Sequence, residues 1–355
     1  MVVLPSRRER DRTGDSSAAR AGLVSAVLVV ALVVLLSVAV SLGSSTIPVG
    51  DVWAAVWRGL TGAAPVAGTS DVIVWQLRVP RALLAAVVGA GLGLVGTAVQ
   101  ALVRNPLADP YLLGISSGAS LGAVAAIVFG ASAGGLAELG LSGAAFVGAL
   151  LSFSLVWTMA RRGGGFSPLR LVLAGVGIGQ FLSGITSYLV LQTADEQQTR
   201  GVLFWLMGNL GGARWDLLAV PALAVVLVGL LLQSRARGLN ALLMGDETAA
   251  GLGIDVSRLR RELFVATSLL TGVLVAVSGA IGFVGLMVPH VCRLVVGGDH
   301  RRLLPVAALF GAVLLVAVDV VARTALETQE LPVGVVTAFI GAPTLLYLLD
   351  RKLEK

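Results

Sequence analysis

The run from Ala21 to Leu42 carries no charged side chain, and runs like it recur along nearly the whole chain. Inside a bilayer no water is available to the backbone, so every N–H and C=O must be satisfied within its own segment or in a closed barrel. Continuous apolar runs of about 20 residues meet that demand as helices long enough to cross the hydrocarbon. Composition agrees: 56% of the 355 residues are hydrophobic and only 13% are charged, where soluble domains carry about 25%. An all-α membrane protein, a compact bundle of transmembrane helices, follows.

Further spans are predicted at roughly 80–103, 111–130, 140–160, 169–192, 216–233, 262–280, 284–297, 303–324 and 332–350. With the first they make ten. All but one have the length to cross. The exception, near 284–297, is short and interrupted by Gly285 and Pro289, and either crosses or re-enters. Residues 1–20 are charged and without periodicity and are expected to form a disordered cytoplasmic tail. Residues 21–350 then form one ten-helix domain, and residues 351–355 a cytoplasmic C-terminus.

The net charge of +6 sits in loops beside apolar runs, which sets topology and argues against a nucleic-acid partner. With both termini in the cytoplasm, all but six of the 26 Lys and Arg fall on the inside. The six are Arg58, Arg78, Arg81, Arg200, Arg214 and Arg323. Inside lie Arg104, Arg161, Arg162, the C-terminal Lys352 and Lys355, and a dense group between Ser234 and Glu262. That segment, SRARGLNALLMGDETAAGLGIDVSRLRRE, is too charged to enter hydrocarbon. It reads as a cytoplasmic surface between two membrane blocks, on which another protein pushes.

The single cysteine, Cys292, excludes a disulfide framework, and no cysteine cluster suits zinc or iron–sulfur. His290 and Cys292, two apart, point to different faces of a helix, so no metal site is assigned. The only lysines are Lys352 and Lys355, so no phosphate-binding loop ending in Lys-Ser/Thr exists. If ATP drives this protein, another chain hydrolyses it; no catalytic residue and no cofactor is assigned here.

Two outside loops stand out. One holds an amphipathic piece, Asp51 to Leu60, with Trp53 and Trp57 a turn apart. The other, 193–215, holds Asp195, Glu196, Trp205 and Trp215 and a short surface helix. Both suit the membrane interface and a platform for an extracytoplasmic partner. Small residues recur every four positions at Gly114, Gly118 and Gly122, at Gly89 and Gly93, and at Gly175 and Gly179, a spacing that lets helices approach closely. The segment 104–120, RNPLADPYLLGISSGAS, is broken at Pro106 and Pro110, and 278–293, SGAIGFVGLMVPHVCR, is a second break. Two such interrupted segments in related places point to a transport pathway. Asp319 is the one acid well inside a predicted span, and Arg323, four residues on, is placed to neutralise it. A gradient-driven transporter would want more such acids along its path.

The runs LRVPRALLAAVVGAGLGLVGTAVQALVRNPLADPYLLGISSGASLG (77–122), LFWLMGNLGGARW (203–215), GDETAAGLGI (245–254), GAIGFVGLMVPHVCRLVVGGDHRRLLP (279–305) and ELPVGVVTAFIGAP (330–343) together resemble FecCD-type permeases of type II ABC importers. The resemblance covers about residues 40–350. It implies a ten-helix permease in the cytoplasmic membrane that pairs with a second permease subunit, identical or not. It also implies two cytoplasmic ATP-binding subunits holding ATP and Mg, and an extracytoplasmic substrate-binding protein. Expected cargo is a metal chelate, first a ferric siderophore, with haem or cobalamin as alternatives, moved by alternating access. The resemblance makes Gly245, Asp246, Glu247, Ala250, Gly251 and Gly253 the ATPase-coupling residues, folded as two short helices with Gly251 and Gly253 at the turn. It makes Arg78, Arg81 and Arg323 docking residues for the binding protein. Gln180, Ser183 and Ser187, on one face of the fifth span, line the pathway it implies, with Asn105, Pro106 and Pro289 at the breaks.

Overall fold

Helices fill the apolar runs, and the breaks between them decide how they meet. The computed structural model describes all residues except 1–6, 44–46, 64–68, 130–139, 162–166, 194–195, 327–328 and 354–355. Asp195, Arg162 and Lys355 lie outside the described residues. The helices are α1 (Arg7–Ser41), α2 (Val49–Thr61), α3 (Val79–Val103), α4 (Ile115–Phe129), α5 (Gly140–Arg161), α6 (Pro168–Leu191), α7 (Glu196–Leu206) and α8 (Ala219–Ser234). They continue with α9 (Ala236–Leu243), α10 (Asp246–Gly251), α11 (Val256–Ser278), α12 (Val284–Val296), α13 (His300–Thr324) and α14 (Val333–Leu353). No strand occurs among the described residues.

Among the described residues, seven helical stretches are long and apolar enough to cross a membrane, and three shorter apolar helices occupy the remaining expected positions. The shorter ones correct the expectation that only one span falls short. α4 has 15 residues and α12 has 13; at 1.5 Å per residue they rise only about 20 Å, well below the ~30 Å core.

Two boundaries also differ from expectation. α1 begins at Arg7, so residues 7–20 are helical instead of disordered. No proline occurs between Pro5 and Pro48, and a helix already nucleated by an apolar span propagates at one hydrogen bond per residue. The second span is longer too. A π-helical stretch, Val72–Arg78, runs without interruption into α3. Pro80, at the first turn of α3, has no N–H to give, and the wider winding lets Val79 donate to the Val74 carbonyl instead.

α3 is the centre of the bundle: 78% of the residues in its most apolar window are buried, against 11% for α1 and 17% for α8. Its glycines make this possible. A Cβ at Gly89 would strike the Gly311 carbonyl on α13, one at Gly93 the Ala307 carbonyl, and one at Gly96 the Gly285 carbonyl on α12. That last carbonyl is free because Pro289, four residues on, has no N–H to donate. The expected glycine face of α4 is likewise a packing face, with Gly118 against Gly148 and Gly122 against Ala144 of α5. Gly114 differs: it turns the chain before α4 with φ +74°.

Candidate functional site

The charged segment at 234–262 folds as two short helices, α9 and α10, ahead of α11. Gly245, with φ +106°, turns between them, and Gly253, with φ +79°, turns from α10 toward α11; side chains with a Cβ rarely adopt either angle. The expected sequence of turns therefore shifts. Gly251 is the last residue of α10, and the motif 245–253 supplies only the second of the two helices. Asp246 lies between two guanidiniums, 2.7 Å from Arg260 Nη2 and 3.4 Å from Arg104 Nη1. Arg104 ends α3 in the left-handed region, at φ 54°. One half-exposed carboxylate thus joins α10 to the ends of α3 and α11.

α9 is fastened independently. Asn240 Nδ2 donates to Asp299 Oδ1 at 2.7 Å, while its Oδ1 accepts from the His300 backbone N–H at 2.9 Å. Both partners sit at the start of α13. Glu247 and Ala250 remain exposed, and so do Leu243, Met244 and Leu252. These three apolar side chains extend the surface beyond the residues the sequence singled out. Their signal was present: large apolar residues flanking Gly245 and Gly253 in an otherwise charged loop.

The two interrupted segments meet. After α3, Asn105 Oδ1 accepts from the Leu107 N–H at 2.9 Å, and a 3-10 turn, Pro110–Leu113, leads to α4. Asp109 Oδ1 accepts from the Tyr111 N–H at 2.8 Å. Between α11 and α12 the chain runs irregularly through Gly279–Phe283, ending on Phe283 at φ 66°. Tyr111 donates its hydroxyl to the Ile281 carbonyl at 2.8 Å, and Pro110 packs on Gly285. Gln100 of α3 donates to the Leu286 carbonyl at 3.2 Å and accepts from Arg293. Each break thus satisfies polar groups near the other, as backbone at membrane depth requires. Asn105 and Pro106 are exposed, whereas Pro289 is buried in the wall of the bundle and offers no surface.

α6 leaves a polar, small-residue face uncovered in this chain. Gln180 and Ser187 are exposed and Ser183 is half-buried, its Oγ 3.4 Å from Ser117 Oγ on α4. Gly177 and Gly184 are exposed beside them, with open space where a Cβ would stand.

At the opposite end of the bundle, the three arginines expected on a docking rim are buried. Arg78, Arg81 and Arg323 are 5%, 9% and 6% exposed. Arg81 Nε lies 2.9 Å from Asp319 Oδ1, its Nη1 2.8 Å from Glu330 Oε2, and Arg323 Nε 3.0 Å from Asp319 Oδ2. The remaining donors cap α1. Arg78 Nη1 donates to the Val40 and Ser41 carbonyls at 3.2 and 2.9 Å, and Arg323 to those of Ala39 and Leu42 at 3.0 and 3.1 Å. The last carbonyls of a helix have no intrahelical partner, and cations near them are favoured. These arginines therefore hold a peripheral helix to the core, and meeting an external carboxylate would mean letting α1 go. The expected Arg323–Asp319 pair is present; Arg81, far away in sequence, is the partner that local spacing did not reveal.

Helices form in both amphipathic segments. α2 carries Trp53 and Trp57, both exposed, and α7 covers part of 193–215. Arg58 of α2 grips Asp71 with Nε and Nη2 at 2.9 and 2.5 Å, which raises the arginine's pKa. Trp215 Nε1 donates to the Trp75 carbonyl at 2.8 Å, with the rings 4.7 Å apart. Beyond α7, Asn209 N–H donates to the Ser278 carbonyl, while the Gly208 and Met207 carbonyls accept from Val333 and Gly334. The ends of α7 and α11 and the start of α14 are thereby spliced together. Among the described residues, no three His, Cys, Asp or Glu converge where they could hold a metal ion.

The sequence matches the model of the FecCD transport family over residues 29–351. Among similar curated proteins, a cobalamin import system permease of Halobacterium salinarum is 46% identical over 84% of this chain and 80% of its own length. A hemin transport system permease of Yersinia pestis is 44% identical over 79% of this chain and 84% of its own. A vitamin B12 import system permease of Salmonella paratyphi A is 42% identical over 92% of this chain and 94% of its own. A solved ABC transporter described as of metal-chelate type, in an inward-facing conformation, superposes with TM-score 0.79 at 30% identity, over 93% of this chain and 99% of that one.

Proposed function

This chain belongs to the FecCD transport family and is a multi-pass membrane permease of an ABC importer; we propose that it carries an intact metal chelate and is driven through α9 and α10. Two copies, or this chain and a second permease, enclose the route. Two cytoplasmic ATPase subunits bind ATP and Mg and seat against α9–α10, and an extracytoplasmic binding protein delivers cargo. Both termini are cytoplasmic.

The observation that carries the coupling reading is Asp246. It touches the residue that ends α3 and an arginine near the start of α11, the two helices that adjoin the two breaks. A push on exposed Glu247, Ala250 and the apolar Met244 and Leu252 passes through that carboxylate to both helices at once. Asn240 adds α13 to the moving set. The route opens along the exposed face of α6, where Gln180, Ser183 and Ser187 offer weak hydrogen bonds and no charge. Such a surface lets a bulky chelate slide without holding it. A metal that keeps its own ligands needs none from this chain.

For the cargo, the names of the relatives favour a metal macrocycle, cobalamin or haem, over the ferric siderophore expected from the sequence. Docking of the binding protein falls to the outer surface of α2, α7 and the 207–216 segment. There Arg200 and Arg214 are exposed, and their acidic partners Glu196 and Asp216 are exposed as well. Pairs of this kind exchange partners easily, because an exposed ion pair contributes under about 1 kcal/mol. Uptake assays in proteoliposomes holding the permease, its ATPase and its binding protein would compare cobalamin, haem and a ferric siderophore. ATP-dependent uptake of a macrocycle alone supports the assignment; uptake of the siderophore alone overturns it.

A further inference from the structure

α5 and α8 end, and α11 begins, at the same end of the bundle, and an open groove of about 620 Å3 lies between them. Its walls are apolar: Trp157 on α5, Leu227 and Leu231 on α8, Val265 and Leu269 on α11. Leu227 and Leu269 are exposed although they lie in helices long and apolar enough to cross a membrane, so this chain alone leaves them to hydrocarbon. The mouth is cationic. Arg258, Arg261 and Glu262 line it, and the Arg161 guanidinium stands 5.3 Å from the centre of the Trp157 ring.

The charges do not balance. Glu262 is held by Arg235 and by Arg258, at 2.9 Å each, and Asp255 caps α11 by accepting from the Arg258 backbone N–H. Arg161 and Arg261 are exposed, and among the described residues neither has an ion-pair partner. A cation over a tryptophan face is already oriented, and arginine presents a planar fork that matches a phosphate.

We propose that this groove binds an anionic phospholipid, with the headgroup phosphate at Arg161 and Arg261 and an acyl chain along Trp157, Leu227 and Leu269. Basic pockets between transmembrane helices at the cytoplasmic boundary suit such headgroups. A soluble anion would meet the arginines but leave the apolar wall uncovered. A zwitterionic lipid would cover the wall but bring a second cation to the mouth. The proposal rests on the membrane-spanning assignment and is independent of cargo.

The test uses the full-length permease in detergent micelles doped with brominated lipids, which quench nearby tryptophans. The chain has six tryptophans, so Trp157→Phe isolates the relevant signal. Brominated phosphatidylglycerol is expected to quench at lower lipid fraction than brominated phosphatidylcholine, and Trp157→Phe to remove that difference. Arg161→Gln and Arg261→Gln should each weaken the phosphatidylglycerol preference about fivefold, and Arg161→Lys should restore most of it. Both arginines are exposed, so the variants should elute from gel filtration as the native protein does. Equal quenching by the two lipids would overturn the proposal. So would a double variant that keeps its lipid preference but loses the ATPase subunit, which would give the mouth of the groove to a protein partner.

Discussion

α3 and α13 are tied together at both ends, and the two ties differ in kind. At the end where α3 begins, the outer one in the proposed topology, Asp319 sits between Arg81 and Arg323, its side chain 1% exposed. At the inner end the links run through α9 and α10, where the Asp246 side chain is 43% exposed, against 6% for its partner Arg260. Removing one partner from a buried ion pair costs about 3–5 kcal/mol, whereas an exposed pair contributes about 0.2–1 kcal/mol. The outer tie also caps α1, so loosening it would release a whole helix. The inner tie, whose Arg104–Asp246 pair is exposed on both sides, can be pulled, turned or re-formed at smaller cost. A bundle fixed at one end and yielding at the other converts a push at the yielding end into a tilt, which is what alternating access needs.

That contrast can be broken from either side. Asp319→Asn should have the largest effect on stability, about 3–5 kcal/mol, because Arg81 and Arg323 lose their shared counter-charge; thermal unfolding in detergent measures it. A melting temperature within a degree of native would mean that the outer cluster is not the fixed end. Gly118→Leu comes next, at about 3 kcal/mol, since the Gly148 carbonyl and Ser152 Cβ occupy the space a side chain would need. If its stability were unchanged, α4 and α5 would have to separate freely. Asp246→Asn should cost less than either, about 2 kcal/mol, because its carboxylate is half-exposed although its partner Arg260 is buried. It should also sharply reduce uptake, because α10 loses its hold on α3 and α11. Smallest of all, Arg200→Ala removes an exposed pair with Glu196 and should change stability by less than about 0.5 kcal/mol. Binding-protein affinity, measured alongside, should fall only modestly.

Legibility followed locality. The apolar runs were enough to place the helices, because a helix is defined by its own residues, although three among the described residues fall short of a full crossing. The inner helix pair was readable for the same reason: charge and Gly245 interrupt a hydrophobic chain within one short segment. Residue spacing found Asp319 with Arg323, four positions apart, but not Arg81, 238 positions away. Nor did it foresee that Arg78 and Arg323 would cap α1, so residues expected on an exposed rim are buried. The breaks were visible as Gly and Pro, yet their meeting through Tyr111 and Ile281 depends on tertiary geometry. Boundaries failed where neighbours override composition, as in the helical 7–20 and the π-helical 72–78.

The yielding end is tested most directly by Glu247→Arg in the reconstituted transporter, reading cargo taken up per ATP hydrolysed. Glu247 is exposed and forms no ion pair among the described residues, so the variant should insert and fold as native. If α9 and α10 carry the push, uptake per ATP should fall at least tenfold while the outer end, followed by thermal stability, stays unchanged. Native uptake per ATP in that variant would contradict the account.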